Sequence, residues 1–224
     1  MEIKPIGKIK CGFTDKFGIP RQSGRVSSLI GKIVLEKEYS HPDCFRGLDE
    51  FSHLWIVFGF DKCDGKWSNT VRPPRLGGNE RRGVFATRSP YRPNNLGLSV
   101  VKIEKITLGE NTEITVSGID LLDGTPVFDI KPYLPTADLI VGAKGGFASE
   151  KNDYHLEVKI DCKIDEIDKT TIDAICGCIA DDPRPAYHDD ERIYKMDYDG
   201  YKISFAVKDN TATIISIEKT NPNT

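Results

Sequence analysis

The chain has 224 residues, 38% of them hydrophobic and 29% charged, with a formal net charge of −3. That is the composition of a soluble globular protein, long enough to bury a core as one large β domain or two smaller ones. The longest apolar run, Leu54 to Phe60, is too short to span a bilayer, and the opening MEIKPIGKIK lacks the apolar core of a signal peptide, so a cytosolic protein without membrane contact is expected. Charge is unevenly spread: residues 1–150 carry 21 Lys/Arg against 18 Asp/Glu, whereas residues 151–224 carry 10 against 16. An acidic total with a local basic excess points to one focused anionic contact and away from a general nucleic-acid coat.

In chain order, Ile3–Ile9 alternates apolar and polar residues as a strand does. Phe17–Arg25, FGIPRQSGR, is a basic loop fixed by Pro and Gly, which alone reads as a surface turn. Gly31–Leu35 and Trp55–Phe60 are further short strands, with His53 a packed residue at a strand start. Val71 to Gly97 is the most informative stretch. It holds six arginines (Arg72, Arg75, Arg81, Arg82, Arg88, Arg92) against one acid, Glu80, with four prolines and four glycines. Such a segment forms no regular helix and at most a short strand at Gly83–Thr87. Planar guanidinium groups on a stiff irregular backbone suit bidentate contacts to phosphates or carboxylates. Trp67 and Tyr91 flank it and are the better candidates for stacking on bases.

Leu98–Ile106 and Glu113–Ile119 read as a long hairpin around Gly109-Glu110-Asn111, with Ile114, Val116 and Gly118 on one face. Asp123-Gly124-Thr125-Pro126 is a tight turn leading into a strand at Val127–Ile130. Many short strands separated by turns predict a closed or nearly closed barrel. No G-x-G-x-x-G or βαβ alternation supports a Rossmann-type fold. Gly-rich Val141–Ser149 marks a domain boundary, giving domains at 1–143 and 151–224. The second reads as a small α+β module: a strand at Tyr154–Ile160, a helix over Ile164–Ala180, and a hairpin of Tyr201–Val207 with Thr213–Glu218. Its proline-stiffened turn Asp182–Tyr187 presents Arg184, a candidate RNA contact.

The six cysteines are scattered with no C-x-x-C pair, and the four histidines show no ligand spacing, so reduced thiols and no metal are expected. Neither a nucleophile elbow nor a helpful histidine motif surrounds Ser89 or Ser99, which disfavours hydrolytic chemistry.

Taken together, FGIPRQSG (Phe17–Gly24), RGLDEFSHLWIVF (Arg46–Phe58), VRPPRLGGNERRGVFATRSPYRPNNLGLS (Val71–Ser99), DLLDGTPVFDIKPYLP (Asp120–Pro135) and DDPRPAY (Asp181–Tyr187) resemble the TrmO (YaeB) family of S-adenosylmethionine-dependent tRNA methyltransferases. The resemblance implies a mainly β protein, with an N-terminal non-Rossmann β-barrel methyltransferase domain and a small C-terminal α+β domain. It further implies a homodimer that methylates N6 of threonylcarbamoyl-adenosine at position 37, in the anticodon loop of threonine-type tRNA. Cofactor contacts carried over from it fall on Ser23, Gly24, Arg25, Asp61, Lys62, Arg88, Pro90, Val100, Gly124, Thr125, Pro126 and Val127. The chain departs from the family at Asn95, often Pro, and at the Asp61-Lys62 pair.

The implied chemistry matches the inventory, since methyl transfer from a sulfonium needs positioning and electrostatics but no metal or protein nucleophile. Asp123 is the expected proton acceptor and Arg88 the partner of the substrate's carbonyl or carboxylate. Arg75, Arg82, Arg92 and Arg184 are the expected RNA contacts. The competing expectation is a non-catalytic module that binds S-adenosylmethionine or RNA.

Overall fold

The computed structural model describes residues 2–63, 65–73, 76, 80–148, 154–164, 166–184 and 192–220. Its first eight strands are β1 (Gly7–Cys11), β2 (Ile30–Leu35), β3 (His53–Gly59), β4 (Thr70–Val71), β5 (Arg82–Gly83), β6 (Leu96–Thr107), β7 (Glu113–Ser117) and β8 (Pro126–Pro132). All but β4 and β5 close into an antiparallel barrel in the order β1-β2-β7-β6-β3-β8, with Gly7 opposite Val127 sealing it. Inward positions alternate along each strand, as the two-residue period requires. Ile9, Ile33, Leu54, Ile56, Ile114, Val116 and Val127 are all fully buried.

The long strand β6 bends to serve two neighbours. Leu96–Lys102 pairs with β3 and Lys102–Thr107 with β7, and a bulge between Ile103 and Lys105 marks the turn from one to the other. Gly97 lies beneath the Phe58 ring, where a Cβ would come within 2.2 Å of it.

After the barrel come α1 (Pro135–Asp138), β9 (Glu157–Ile160), α2 (Lys169–Ala180), β10 (Ile193–Tyr198), β11 (Tyr201–Lys208) and β12 (Thr211–Lys219). The last strands form a sheet in the order β10-β11-β12-β9, with β9 parallel to β12 and α2 packed beside it. Between the two parts, Val141–Ala148 is exposed almost throughout. Even so, one continuous buried cluster joins barrel residues such as Ile9 and Phe13 to Ile175, Met196 and Phe205 of the second part.

Several expected elements shift. The first strand starts at Gly7, because only from there does the chain pair with β2, and Ile3 is left exposed. The helix starts at Lys169 and not near Ile164, because the Asp168 carboxylate accepts the Thr171 amide at 3.0 Å and so caps it. The strand β10 went unread, although Tyr194, Met196 and Tyr198 alternate inward. At Gly83–Thr87 only Gly83 is in a strand, and Val84–Ala86 forms a 3-10 turn.

Candidate active site

The strand order puts three long connections at one end of the barrel. Residues 12–29 link β1 to β2, 60–95 link β3 to β6, and 118–125 link β7 to β8. In an antiparallel barrel these all leave by the same rim, and every barrel residue expected at the cofactor site lies on it or just inside. Chain separations of a hundred residues therefore vanish in space.

Several hydrogen bonds gather around the tip of the first loop. Because β6 leaves β7 at Lys102, its earlier half has an edge free of β7, and the Ser23 hydroxyl accepts the Val100 amide there at 3.2 Å. Gly24 donates its amide to the Gly118 carbonyl at 2.8 Å. That approach needs glycine at 118, which has φ +76 and where a Cβ would lie 3.1 Å from the Gly24 Cα, while Gly24 is held at φ +77 with open space beside it. Gln22 Oε1 accepts the Arg88 guanidinium at 2.5 Å, tying the arginine block to the same tip. Behind it the buried Ser99 hydroxyl donates to Asp120 Oδ1 at 2.8 Å. Burial raises the Asp120 pKa above the usual carboxylate range, opposed by the Ser99 hydrogen bond, the Ser23 backbone and the Arg88 charge.

Asp120, Ser99 and Gln22 are the site residues that sequence reasoning passed over. Asp120 stood in a recognised stretch, but it is half-buried between the inward-packed Ile119 and Leu121, and only the Ser99 hydroxyl of the neighbouring strand shows that its carboxylate faces the site.

The expected proton acceptor, Asp123, sits elsewhere on the rim. Its exposed carboxylate accepts the Cys11 amide at 3.0 Å and lines a cavity of about 460 Å³ with Lys10, Tyr198 and Asp199. Neither Ser23 nor Arg88 lines that cavity, whereas the Arg88 charge acts on the Asp120 carboxylate. The turn after it is held by Gly124 and Thr125 exchanging backbone hydrogen bonds with Ile9. Thr125 and Val127 are buried and their carbonyls accept the Ile9 and Ile6 amides, so Gly124 is the exposed residue of this turn. Pro126 lies against Gly59 at the end of β3, and two residues further Asp61 and Lys62 pair with each other at 3.3 Å.

Other expected contacts are already engaged. Arg25 is paired with the buried carboxylate of Asp181 at 2.5 Å. Arg184 makes a two-pronged contact to Asp182 at 2.7 and 2.9 Å, and so braces its own turn. Arg92 donates to the carbonyls of Thr87 and Ser89, which fixes the arginine loop from within. Pro90 contributes its carbonyl to that scaffold, accepting from Arg92 and from Asn95 Nδ2 at 2.7 Å. Asn95 has φ 44, a left-handed value closed to proline, so the family's Pro could not replace it on this backbone. Arg82 pairs with Glu80 at 2.6 Å yet stays 40% exposed, while Arg75 and residues 185–187 of the Arg184 turn lie outside the described residues. Beside these arginines three aromatic rings stand out: Phe85 is 77% exposed, Trp67 54% and Tyr91 46%. Backbone hydrogen bonds from Ser68 to Tyr91 and from Val84 to Asn69 hold their segments together.

Fold and rim together define a non-Rossmann β-barrel protein with a half-buried carboxylate and an arginine-bearing, ring-bearing loop at one end. Comparison with known proteins places it further. Residues 8–139 match the tRNA-methyltransferase O N-terminal domain and residues 155–220 the TrmO C-terminal domain, so the chain belongs to the tRNA-methyltransferase O (TrmO) family. The tRNA (adenine(37)-N6)-methyltransferase of Escherichia coli K12 is 37% identical over 230 residues, covering 97% of each chain. That of Eikenella corrodens is 45% identical over 174 residues, covering 75% of this chain and 97% of its own. A crystal structure of TrmO from Pseudomonas aeruginosa superposes with a TM-score of 0.81 at 30% identity, covering 98% of this chain and 97% of that one.

Proposed function

We propose that this chain transfers a methyl group from S-adenosylmethionine to N6 of adenosine 37 of tRNA, the adenosine carrying a threonylcarbamoyl group. Relatives matching nearly the whole chain bear the name tRNA (adenine(37)-N6)-methyltransferase. The observation that carries the chemistry is the convergence of Asp120, Arg88 and the Ser23–Gly24 tip on one rim.

The residues present fit S-adenosylmethionine. Gly24 and Gly124 both have positive φ and open space where a Cβ would stand, so backbone is exposed for close approach. A half-buried carboxylate suits a neighbouring sulfonium. Ser23, Gly24 and Val100, with the exposed Gly124 of the same rim, would hold the cofactor, which would supply an electrophilic methyl group whose S–C bond electrons return to sulfur. The chain's own work is to aim N6 along that bond and to take its proton. Asp120 accepts it as the N–C bond forms, and a carboxylate raised by burial is a stronger base than an ordinary one. Arg88 pairs with the threonylcarbamoyl carboxylate, and Gln22 keeps the guanidinium planar to the rim.

The anticodon loop would lie across the arginine block. Its splayed bases meet Phe85, Trp67 and Tyr91, since stacking on rings is how proteins hold unstacked RNA. Phe85→Ala is expected to raise the KM for tRNA about tenfold with the KM for cofactor unchanged, as loss of one stacked base does. Arg82→Ala should weaken tRNA binding and flatten its salt dependence by about one counterion, measured by filter binding across a salt series.

The protein works as a homodimer in the cytoplasm in this reading. Leu139, Ile140 and Val141 are 63%, 71% and 90% exposed, an apolar strip suited to a second copy. No helix among the described residues is long and apolar enough to cross a membrane, and no group of three or more His, Cys, Asp or Glu among them would hold a metal ion.

A second reading is a binding module without catalysis. The relative named "S-adenosyl-L-methionine-binding protein" of Archaeoglobus fulgidus is 38% identical over 145 residues, which cover 98% of it but 65% of this chain. Transfer of label from methyl-labelled cofactor separates the two readings. Incorporation into threonine tRNA bearing the threonylcarbamoyl group, and little into the same tRNA lacking it, supports the enzyme. Cofactor binding without incorporation supports the module.

A further inference from the structure

The loop between β1 and β2 is held on two sides by different parts of the molecule. Its tip, Gln22–Gly24, touches the barrel through Arg88, Val100 and Gly118. Immediately before and after that tip the chain is held by the C-terminal part. Arg21 Nη2 donates to the Arg184 carbonyl at 3.1 Å, and Arg25 donates to Asp181 Oδ1 at 2.6 Å. Asp181 is only 6% exposed, and Arg184 is pinned by Asp182, so both anchors sit on one stiff turn. That turn closes α2, with the Asp181 amide bonded to Gly177 O at 3.0 Å.

The rest of the loop repeats the pattern. Phe17 stacks near Tyr194 and Phe205 at centroid separations of 6.2 and 6.4 Å. Ser28 Oγ donates to the Asp173 carbonyl at 3.1 Å. Gly177 leaves the space on α2 that Val26 fills, since a Cβ there would come within 2.5 Å of Val26 Cγ1.

An isolated loop of this length, with Gly18 and Gly24 in it, would sample many conformations, and only one presents the Ser23 hydroxyl to Val100. We propose that the C-terminal part is a brace for the cofactor side of the site, and that Asp181 is its positioning residue, acting through Arg25 on the Gln22–Gly24 tip. This rests on the reading of that tip as part of the cofactor site. It assigns Arg25, by its contacts, to fixing the tip.

The test compares Asp181→Asn with the exchanged pair Arg25→Asp/Asp181→Arg in the full-length chain. Asp181→Asn keeps the shape of the side chain and removes its charge. It is expected to raise the KM for S-adenosylmethionine about tenfold while the KM for tRNA and the midpoint of thermal unfolding stay near wild type, with the exchanged pair restoring most of the loss. Hydrogen exchange of the residue 22–25 amides should quicken in Asp181→Asn and slow again in the exchanged pair. Unchanged kinetics and exchange would overturn the proposal. So would a fall in unfolding midpoint with all kinetic constants worsened together, which is what a purely structural pair would give. If Asp181→Asn loosens residues 22–25 but cofactor binding by calorimetry is unaffected, the brace stands and the placing of the cofactor at that tip fails.

Discussion

Asp120→Asn is expected to lower kcat for tRNA methylation by about a hundredfold or more, the usual worth of a positioned general base. Cofactor and tRNA binding should change little, because Asn keeps the volume and still accepts the Ser99 hydroxyl that now bonds Oδ1 at 2.8 Å. The pH profile carries the sharper signature. Burial raises the Asp120 pKa, and a base works only when deprotonated, so wild-type kcat should be full above that pKa and fall as pH drops through it. That acid limb should lie higher than an ordinary carboxylate would put it, and it should vanish in Asp120→Asn. Asp123→Asn should leave the limb in place, since Asp123 bonds the Cys11 amide on another part of the rim. Single-turnover rates across pH for both variants decide between the two aspartates.

Phe13→Ala should cost about 3–5 kcal/mol and weaken both parts of the molecule together. Phe13 is fully buried and packs edge-on to Tyr198, with ring centroids 4.9 Å apart, so the cavity left behind opens at the seam. The chain offers two probes of this. Both tryptophans, Trp55 and Trp67, belong to the barrel part, whereas α2, the longest helix, belongs to the C-terminal part. Denaturation followed by tryptophan fluorescence and by helical circular dichroism should give one coincident transition in the wild type and in Phe13→Ala, shifted in the variant. Separate transitions would mean that the parts fold independently.

The second expectation bears on what the sequence could and could not disclose. The barrel was readable because alternation along Ile114–Val116 or Leu54–Phe58 depends only on neighbours in the chain. The three-loop rim was partly readable, since arginine and glycine content flags a loop without saying which other loop it meets. The seam was not readable. An exposed Gly-rich stretch from Val141 suggested two separate domains, but Gly18 and Gly177, which admit Met196 and Val26 across the seam, look like ordinary glycines in sequence. The two aspartates show the same limit. Asp123 stood out because a turn surrounds it, yet the Arg88 charge acts on Asp120, three residues earlier. Arg25 and Arg184 carry charge that suits phosphate, and only their partners Asp181 and Asp182 reveal that the charge is already used.

The most direct measurement of the central claim is mass spectrometry of nucleosides from threonine tRNA incubated with purified protein and S-adenosylmethionine bearing a deuterated methyl group. The account predicts threonylcarbamoyl-adenosine heavier by one deuterated methyl, located on N6 and mapped to position 37, with the signal lost in Asp120→Asn. Unmodified threonylcarbamoyl-adenosine on every threonine tRNA, with cofactor binding intact, would contradict it.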